Sequence, residues 1–213
     1  MDAVILLDVD NTLLDNDRLK SDVAAALVAS LGRAGAERFS ELYEQARSDR
    51  DGVVDYLEVL RRFGIEQPDL ANAAAAIVDG VPFERYLYPG TRGAVEACWA
   101  AGTPVVLSDG DPVYQVAKIE RSGIAALVRG GVLVYDHKER HVAQVMRRFP
   151  AHRYIMVDDK AATLSRMKEL MGGRLTSVHV RQGHYADEEA PGPPPDRTIP
   201  SIDGLAAALA LIA

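Results

Sequence analysis

The stretch AVILLDVDNT, residues 3–12, decides the fold class of this 213-residue chain. Its apolar run from Ala3 to Leu7 is typical of a strand that is buried on both faces of a sheet. Carboxylates follow directly at Asp8 and Asp10, although aspartate is depleted in strands and costly to bury unless it is paired or bound to a metal. A buried strand that ends in acids therefore indicates a chemical site at the end of that strand.

Further short apolar runs predict strands of the same kind, and helical patterns separate them. The runs are PVVLSDG from Pro104, RYIMVDD from Arg153 and TSVHV from Thr176, with a weaker run, VLVYD, before Lys138. Strands that alternate with helices indicate a parallel sheet covered on both sides. The predicted fold class is α/β, with a Rossmann-like three-layer core.

Residues 16–85 interrupt this alternation, because they show helical patterns and no strand. The predicted helices cover residues 21–31, 36–47, 53–63 and 69–78, and Pro82 and Pro89-Gly90 mark the return to the core. We therefore predict an inserted α-helical cap over residues 16–85. Residues 1–15 and 86–213 would form the catalytic core.

Composition restricts the classes of function that are open to the chain. The net charge of -7 argues against nucleic-acid binding, which needs clustered Lys and Arg. No apolar run approaches the length of a membrane span, and the N-terminus lacks the basic region of a signal peptide. We expect a cytoplasmic protein that acts on a small molecule and binds neither nucleic acid nor membrane. The oligomeric state stays open.

Polar residues follow three of the predicted strands, and the carboxyl ends of parallel strands meet at the edge of a sheet where ligands bind. These residues are Asp8 and Asp10, Ser108 and Asp109, and Asp158 and Asp159, with Lys138 at the head of a predicted helix that feeds the third strand. Any one pair alone is more often a turn former or a helix cap. Carboxylates gathered at one edge would repel one another, so the set favours a hard divalent cation between them.

A carboxylate at this edge can attack phosphorus and form an aspartyl-phosphate. Because the phosphate is itself anionic, the attack requires Mg²⁺ and a cation such as Lys138 to offset the repulsion. Asp10 lies two residues after Asp8 and so returns to the same side of the strand. It can protonate the leaving alkoxide and then take a proton from the hydrolytic water.

These residues carry a resemblance to a known family. DVDNT at residues 8–12 resembles the DxDxT first motif of the haloacid dehalogenase superfamily, phosphatase branch. Ser108 in VVLSDG, Lys138, and the acidic pair in YIMVDD resemble the second, third and fourth motifs, in the family's order and spacing. The helical insert resembles the family's C1-type cap. Four motifs in order are specific, whereas DxD alone would be weak.

The resemblance implies a role for each motif residue. Asp8 would be the nucleophile and a Mg²⁺ ligand, and Asp10 the general acid/base whose backbone carbonyl also contacts the metal. Ser108 and Lys138 would hold the phosphoryl oxygens, and Asp109 would lie beside them at the phosphate. Among these residues, Asp109 departs from the family, in which asparagine or another polar residue is frequent at that position.

The fourth motif would complete the metal site through Asp159 and Asp158, and which of the two binds Mg²⁺ directly stays open. The implied function is a Mg²⁺-dependent phosphatase that hydrolyses a small phosphorylated metabolite. A phosphoryl transferase or mutase would use the same residues, and a non-catalytic binding or regulatory protein could keep the fold. Asp10 argues against dehalogenation, the reaction after which the family is named, because a halide leaves without taking up a proton. Asn11 stands where many members have glycine.

Other polar residues are weaker candidates for function. They are His137 and His141 as a metal pair; His179, Gln182 and His184 near the crevice; and Arg47, Arg50, Arg61 and Arg62 for an anionic substrate.

Overall fold

The chain is described by a computed structural model that covers residues 3–50 and 53–212. Its strands are β1 Ala3–Leu7, β2 Thr103–Asp109, β3 Val132–Tyr135, β4 Arg153–Asp158, β5 Leu175–Val180 and β6 Arg197–Ile199. They form one parallel sheet in the order β3-β2-β1-β4-β5-β6. β1 is central, and its last residue, Leu7, lies opposite Val106 of β2 and Val157 of β4. The first strand therefore delivers Asp8 to the middle of the sheet edge.

Helices cover both faces of the sheet. They are α4 Thr91–Ala101, α5 Pro112–Arg121, α6 Ile124–Leu127, α7 Val142–Arg148, α8 Ala161–Met171 and α9 Leu205–Ala210. Side chains alternate along β1, so Ile5 and Leu7 pack with apolar residues of α4, α5 and α9. Val4 and Leu6 pack with those of α7 and α8. This arrangement confirms the predicted α/β, Rossmann-like three-layer core.

Two local predictions need correction. The predicted helix from Lys138 is wrong at its start: residues Lys138–His141 form a 3₁₀ turn, and α7 begins only at Val142. The turn is held because the Lys138 N–H donates to Asp109 Oδ1 at 2.7 Å. The proline-rich stretch EEAPGPPPDRTIP, residues 188–200, predicts an extended surface segment. It contains β6 instead, which pairs with β5 at the edge of the sheet.

The helices of the N-terminal half form an insert that we call the helical insert: α1 Asn16–Asp49, α2 Tyr56–Glu66 and α3 Pro68–Asp79. Gly32, at φ 71°, breaks the helical path within α1, where the sequence predicted a gap between two helices. The insert has an apolar cluster of its own, centred on Phe39, Val59 and Phe63. The predicted cap boundary at 16–85 and the C1 subtype stay predictions.

Apolar, aromatic and polar contacts join the helical insert to the core, and Leu19 of α1 belongs to the apolar cluster of the core. The Tyr56 ring stacks on Tyr114 of α5, with 4.0 Å between ring centroids. Arg50 Nη1 lies 3.5 Å from Asp111 Oδ2 at the start of the same helix. A search of the described residues finds no helix with the length and apolarity of a membrane span.

Candidate active site

The loop after β1 carries the two predicted catalytic acids. Asp8 is buried; its N–H donates to Val157 O at 3.0 Å, and its Oδ2 accepts from Thr12 Oγ1 at 3.3 Å. The chain then turns at Asn11, whose φ of 59° is a left-handed conformation that asparagine tolerates better than most residues. In contrast to the buried Asp8, the side chain of Asp10 is 29% exposed, and it lines a crevice.

Lys138 joins two of the predicted carboxylates. Its Nζ donates to Asp8 Oδ1 at 2.6 Å and to Asp158 Oδ2 at 2.7 Å, and the side chain is 1% exposed. Burial lowers the pKa of Lys138, but the charges of Asp158, Asp8 and Asp109 outweigh it and raise that pKa well above its usual value. Burial also raises the pKa of Asp8 to about 7, against the attraction of Lys138. An ionised Asp8 therefore depends on the cations around it.

The three carboxylates Asp8, Asp158 and Asp159 bring ligand oxygens within 4.8 Å of one another. Within residues 3–50 and 53–212 no hydrogen-bond partner contacts either oxygen of Asp159, although both are buried. By contrast, Asp158 accepts from Lys138 and from the Lys160 N–H, the latter at 2.9 Å. Burial, then repulsion by Asp158 and Asp8, raises the pKa of Asp159 to about 9. An all-oxygen site with an unpartnered buried carboxylate fits a hard cation such as Mg²⁺.

A second lysine, which the sequence reasoning missed, holds Asp10. Lys118 Nζ lies 2.7 Å from Asp10 Oδ1 and 2.9 Å from Oδ2, and the lysine side chain is 4% exposed. One sequence feature could have identified this lysine: the polar residues Gln115 and Lys118 lie on the same face of α5 as the buried Ile119. A helix buries such residues only when they meet partners.

Ser108, at the end of β2, is buried beside the carboxylates. Its Oγ accepts from Gln115 Nε2 at 2.8 Å and donates to Asp109 O at 3.4 Å. The Asp109 carboxylate faces Lys138, with Oδ1 on the Lys138 N–H and Oδ2 3.6 Å from Nζ. The predicted place of Asp109 at the phosphate stays a prediction.

The acids open into a crevice of about 410 Å³ between the helical insert and the carboxyl edge of the sheet. Residues from both sides line it, among them Lys20, Tyr43, Arg47 and Tyr56 from the insert and Asp10, Tyr114, Lys118, Asp159 and Lys160 from the core. Of the arginines singled out from the sequence, only Arg47 is among the lining residues. The side chains of Arg61 and Arg62 pair with Glu58 instead.

The histidine candidates separate into different roles. His184 lines the crevice and contacts Asp17 Oδ1 at 2.7 Å. His179 Nε2 contacts the Asp159 carbonyl at 2.9 Å, so it supports the backbone of the acidic pair. His141 contacts Asp136 and stacks on Tyr135. The candidate metal group within the described ranges contains no histidine.

Comparison with known proteins agrees with this geometry at the level of the family. Residues 3–168 match the model of the haloacid dehalogenase-like hydrolases. A crystal structure described as a haloacid dehalogenase-like hydrolase from Burkholderia xenovorans LB400 is 41% identical, with a TM-score of 0.89, and the match covers 100% of this chain and 99% of that one. No match is found among curated proteins.

More distant structures share the fold alone. One is a haloacid dehalogenase (HAD) phosphatase from Thermococcus onnurineus, at 20% identity and a TM-score of 0.66 over 98% of each chain. Another is the L-2-haloacid dehalogenase from Xanthobacter autotrophicus, at 16% identity and a TM-score of 0.65 over 100% of each chain. Because the family model spans most of the chain and the Burkholderia match spans all of it, this protein belongs to the haloacid dehalogenase-like hydrolases.

Proposed function

We propose that this hydrolase is a Mg²⁺-dependent phosphatase that cleaves a small phosphomonoester through an aspartyl-phosphate on Asp8. The observation that carries the proposal is the pair of acids on one loop. Asp8 is buried against Lys138 at 2.6 Å, while Asp10 reaches the open crevice. One acid is placed to attack and the other to exchange protons with what enters the crevice.

In the first step, an Asp8 oxygen forms a bond to phosphorus while the bond from phosphorus to the ester oxygen breaks. The proton of the Asp10 carboxyl goes to that oxygen, so an alcohol leaves. In the second step, Asp10 takes a proton from water, whose oxygen bonds to phosphorus as the Asp8–phosphorus bond breaks. Inorganic phosphate leaves, and both acids return to their starting states. Lys138 and Ser108 are the side chains beside Asp8 that are suited to hold the phosphoryl oxygens.

The metal would be held by Asp8, by Asp159 and by the backbone carbonyl of Asp10, with Asp158 in support. Among the residues that the structure describes, none is a hydrogen-bond partner of the buried Asp159 oxygens, which favours Asp159 over Asp158 as the direct ligand. When bound, Mg²⁺ supplies positive charge that offsets repulsion between the acids and the phosphate. Lys138 would offset the negative charge of Asp8 and, together with Ser108, hold and orient the phosphoryl group.

Dehalogenases share this fold, and several are among the structural neighbours. A halide leaves without a proton, so dehalogenation gives no task to a second acid at the position of Asp10. Here that acid is present, faces the crevice and is held by a buried lysine. The site thus favours a leaving group that needs a proton, such as the alcohol of a phosphate ester, over a halide.

A screen for release of inorganic phosphate from a phosphorylated-metabolite library, with Mg²⁺ present, tests the proposal. The Asp8→Asn variant is the blank, because it keeps the shape of the side chain but loses the nucleophile. We expect phosphate release by the wild type and loss of it in the variant. An alcohol product with no free phosphate would indicate transfer to a second hydroxyl. No turnover of any ester would favour a non-catalytic role.

A further inference from the structure

The ammonium group of Lys118 has no role in either of the two proposed reaction steps. Its Nζ donates to Asp10 Oδ1 at 2.7 Å, to Asp10 Oδ2 at 2.9 Å and to Asn16 Oδ1 at 3.3 Å. A lysine has three N–H donors, so these three acceptors are enough to use all of them. The group is therefore held in one place by directed contacts.

The position of Lys118 is set by the core, not by Asp10. Its helix, α5, starts at Pro112 and is capped by Asp111, whose Oδ1 accepts from two backbone N–H groups at 3.0 Å. The neighbouring Ile119 is fully buried. Asp10 lies instead on a loop, and its side chain is 29% exposed. The rigid partner in this pair is the lysine, and the acid is the one whose orientation needs to be fixed.

The site provides a separate cation for each acid that the reaction uses. Lys138 donates hydrogen bonds to Asp8 and Asp158, whereas Lys118 donates hydrogen bonds to Asp10 and Asn16. A carboxylate held through both oxygens still has lone pairs on each of them for another partner. Asp10 can thus stay bound to Lys118 while one oxygen exchanges a proton in the crevice.

We propose that Lys118 is a positioning residue that holds Asp10 in the orientation needed for proton transfer; this rests on the proposed phosphatase function. In the first step the Asp10 proton moves to the ester oxygen as the phosphorus–oxygen bond breaks. In the second step Asp10 takes a proton from water. Lys118 keeps its own protons throughout, because its three donors are directed at Asp10 and Asn16.

The alternative is that the ion pair only stabilises the fold. Two phosphate esters that differ in their leaving group distinguish the two explanations. Benzyl phosphate releases a poor leaving group that needs a proton, whereas 4-nitrophenyl phosphate releases a phenolate that needs little help. A positioning residue for the acid affects the first ester far more than the second. A purely structural residue affects both alike.

The experiment measures release of each alcohol in a single turnover with Mg²⁺, for wild type, Lys118→Met and Lys118→Arg. We expect Lys118→Met to slow benzyl alcohol release by ~10–100-fold and 4-nitrophenol release by less than ~3-fold. Lys118→Arg, which keeps the charge, should recover part of the benzyl alcohol rate. The matched control is Lys168→Met, which removes a Lys–Asp196 ion pair of the same 2.7 Å length on α8 and should change neither rate.

A double variant provides the second test. If Lys118 acts only through Asp10, adding Lys118→Met to Asp10→Asn causes no further loss of benzyl alcohol release. The double variant also removes both charges of the buried pair, so it avoids the unpaired buried ammonium that Asp10→Asn alone leaves. Equal slowing of the two esters, or a loss that adds to that of Asp10→Asn, would overturn the inference. A wild type that releases neither alcohol would instead refute the proposed phosphatase function.

Discussion

At the scale of single residues, the site depends on which charges are paired. The sequence was sufficient to nominate Asp8, Asp10, Lys138 and the acidic pair, because each follows a strand. It did not reveal Lys118, because a lysine in a helix is usually solvated and its partner lies 108 positions away in the chain. Contacts between residues so far apart follow from the packed fold and not from local pattern.

Replacement of Asp10 by asparagine tests this pairing. The variant removes the proton carrier and also leaves the Lys118 ammonium buried without a carboxylate. We expect turnover to fall by ~100-fold or more and the melting temperature to drop, while Mg²⁺ binding is largely kept. The matched control is Asp187→Asn, which removes an exposed carboxylate that pairs with Arg181. Unchanged turnover would contradict a proton-transfer role for Asp10, and loss of Mg²⁺ binding as the main defect would count against it too.

At the scale of secondary-structure elements, the strands and helices of the core were predictable because their apolar patterns are strong. β6 and the turn at Lys138 were not, since each is fixed by a partner elsewhere in the chain. β6 is three residues long and exists by pairing with β5. The loop conformations around the site belong to the same class of long-range effects.

One such loop supports the turn that carries the acids. Gly183, after β5, has a φ of +64°, and a Cβ there would lie 2.5 Å from the Asn11 side chain. Asn11 Oδ1 in turn accepts from the N–H groups of Asn16 and Asp17, at 3.0 and 3.2 Å, and so ties the catalytic loop to α1. An alanine at position 183 would strain the backbone and displace Asn11.

We therefore expect Gly183→Ala to destabilise the protein by about 1–3 kcal/mol and to reduce turnover as the loop shifts. The matched control is Gly93→Ala, in the first turn of α4, where a Cβ meets nothing within 4 Å. That change should stabilise the protein by up to ~1 kcal/mol, since alanine favours a helix. Urea denaturation of both variants measures this, and equal stabilities for the two would contradict it.

At the scale of the whole molecule, folding brings several carboxylates together in a buried site. Their burial lowers the free energy of unfolding by an amount that depends on pH. The pKa of Asp159 is about 9 in the folded chain against an ordinary value of 3.8, so the folded state binds the proton more tightly than the unfolded state does. The associated stability is present at low pH and is lost as pH rises through about 9. In EDTA, we expect the melting temperature to decrease from pH 5 to pH 9, as measured by thermal denaturation.

Metal binding should show the opposite dependence, because protons and Mg²⁺ compete for the same oxygens. We expect the affinity for Mg²⁺, measured by titration calorimetry, to increase by ~10-fold or more between pH 6 and pH 9. Mg²⁺ binding should also release protons. Calorimetry in buffers with different ionisation enthalpies detects this release, because the measured heat of binding then differs between the buffers. An affinity that does not change with pH would contradict competition between protons and Mg²⁺ at Asp159 and Asp8.

The central claim is that the acids at the end of β1 hydrolyse a phosphate ester rather than a carbon–halogen bond. The most direct measurement follows release of phosphate from 4-nitrophenyl phosphate and of chloride from L-2-chloropropionate, in parallel. Wild type and Asp8→Asn are compared, each with Mg²⁺ and with EDTA. We expect phosphate release only by the wild type with Mg²⁺, and no chloride release under any condition. Chloride release by the wild type without phosphate release would contradict the claim.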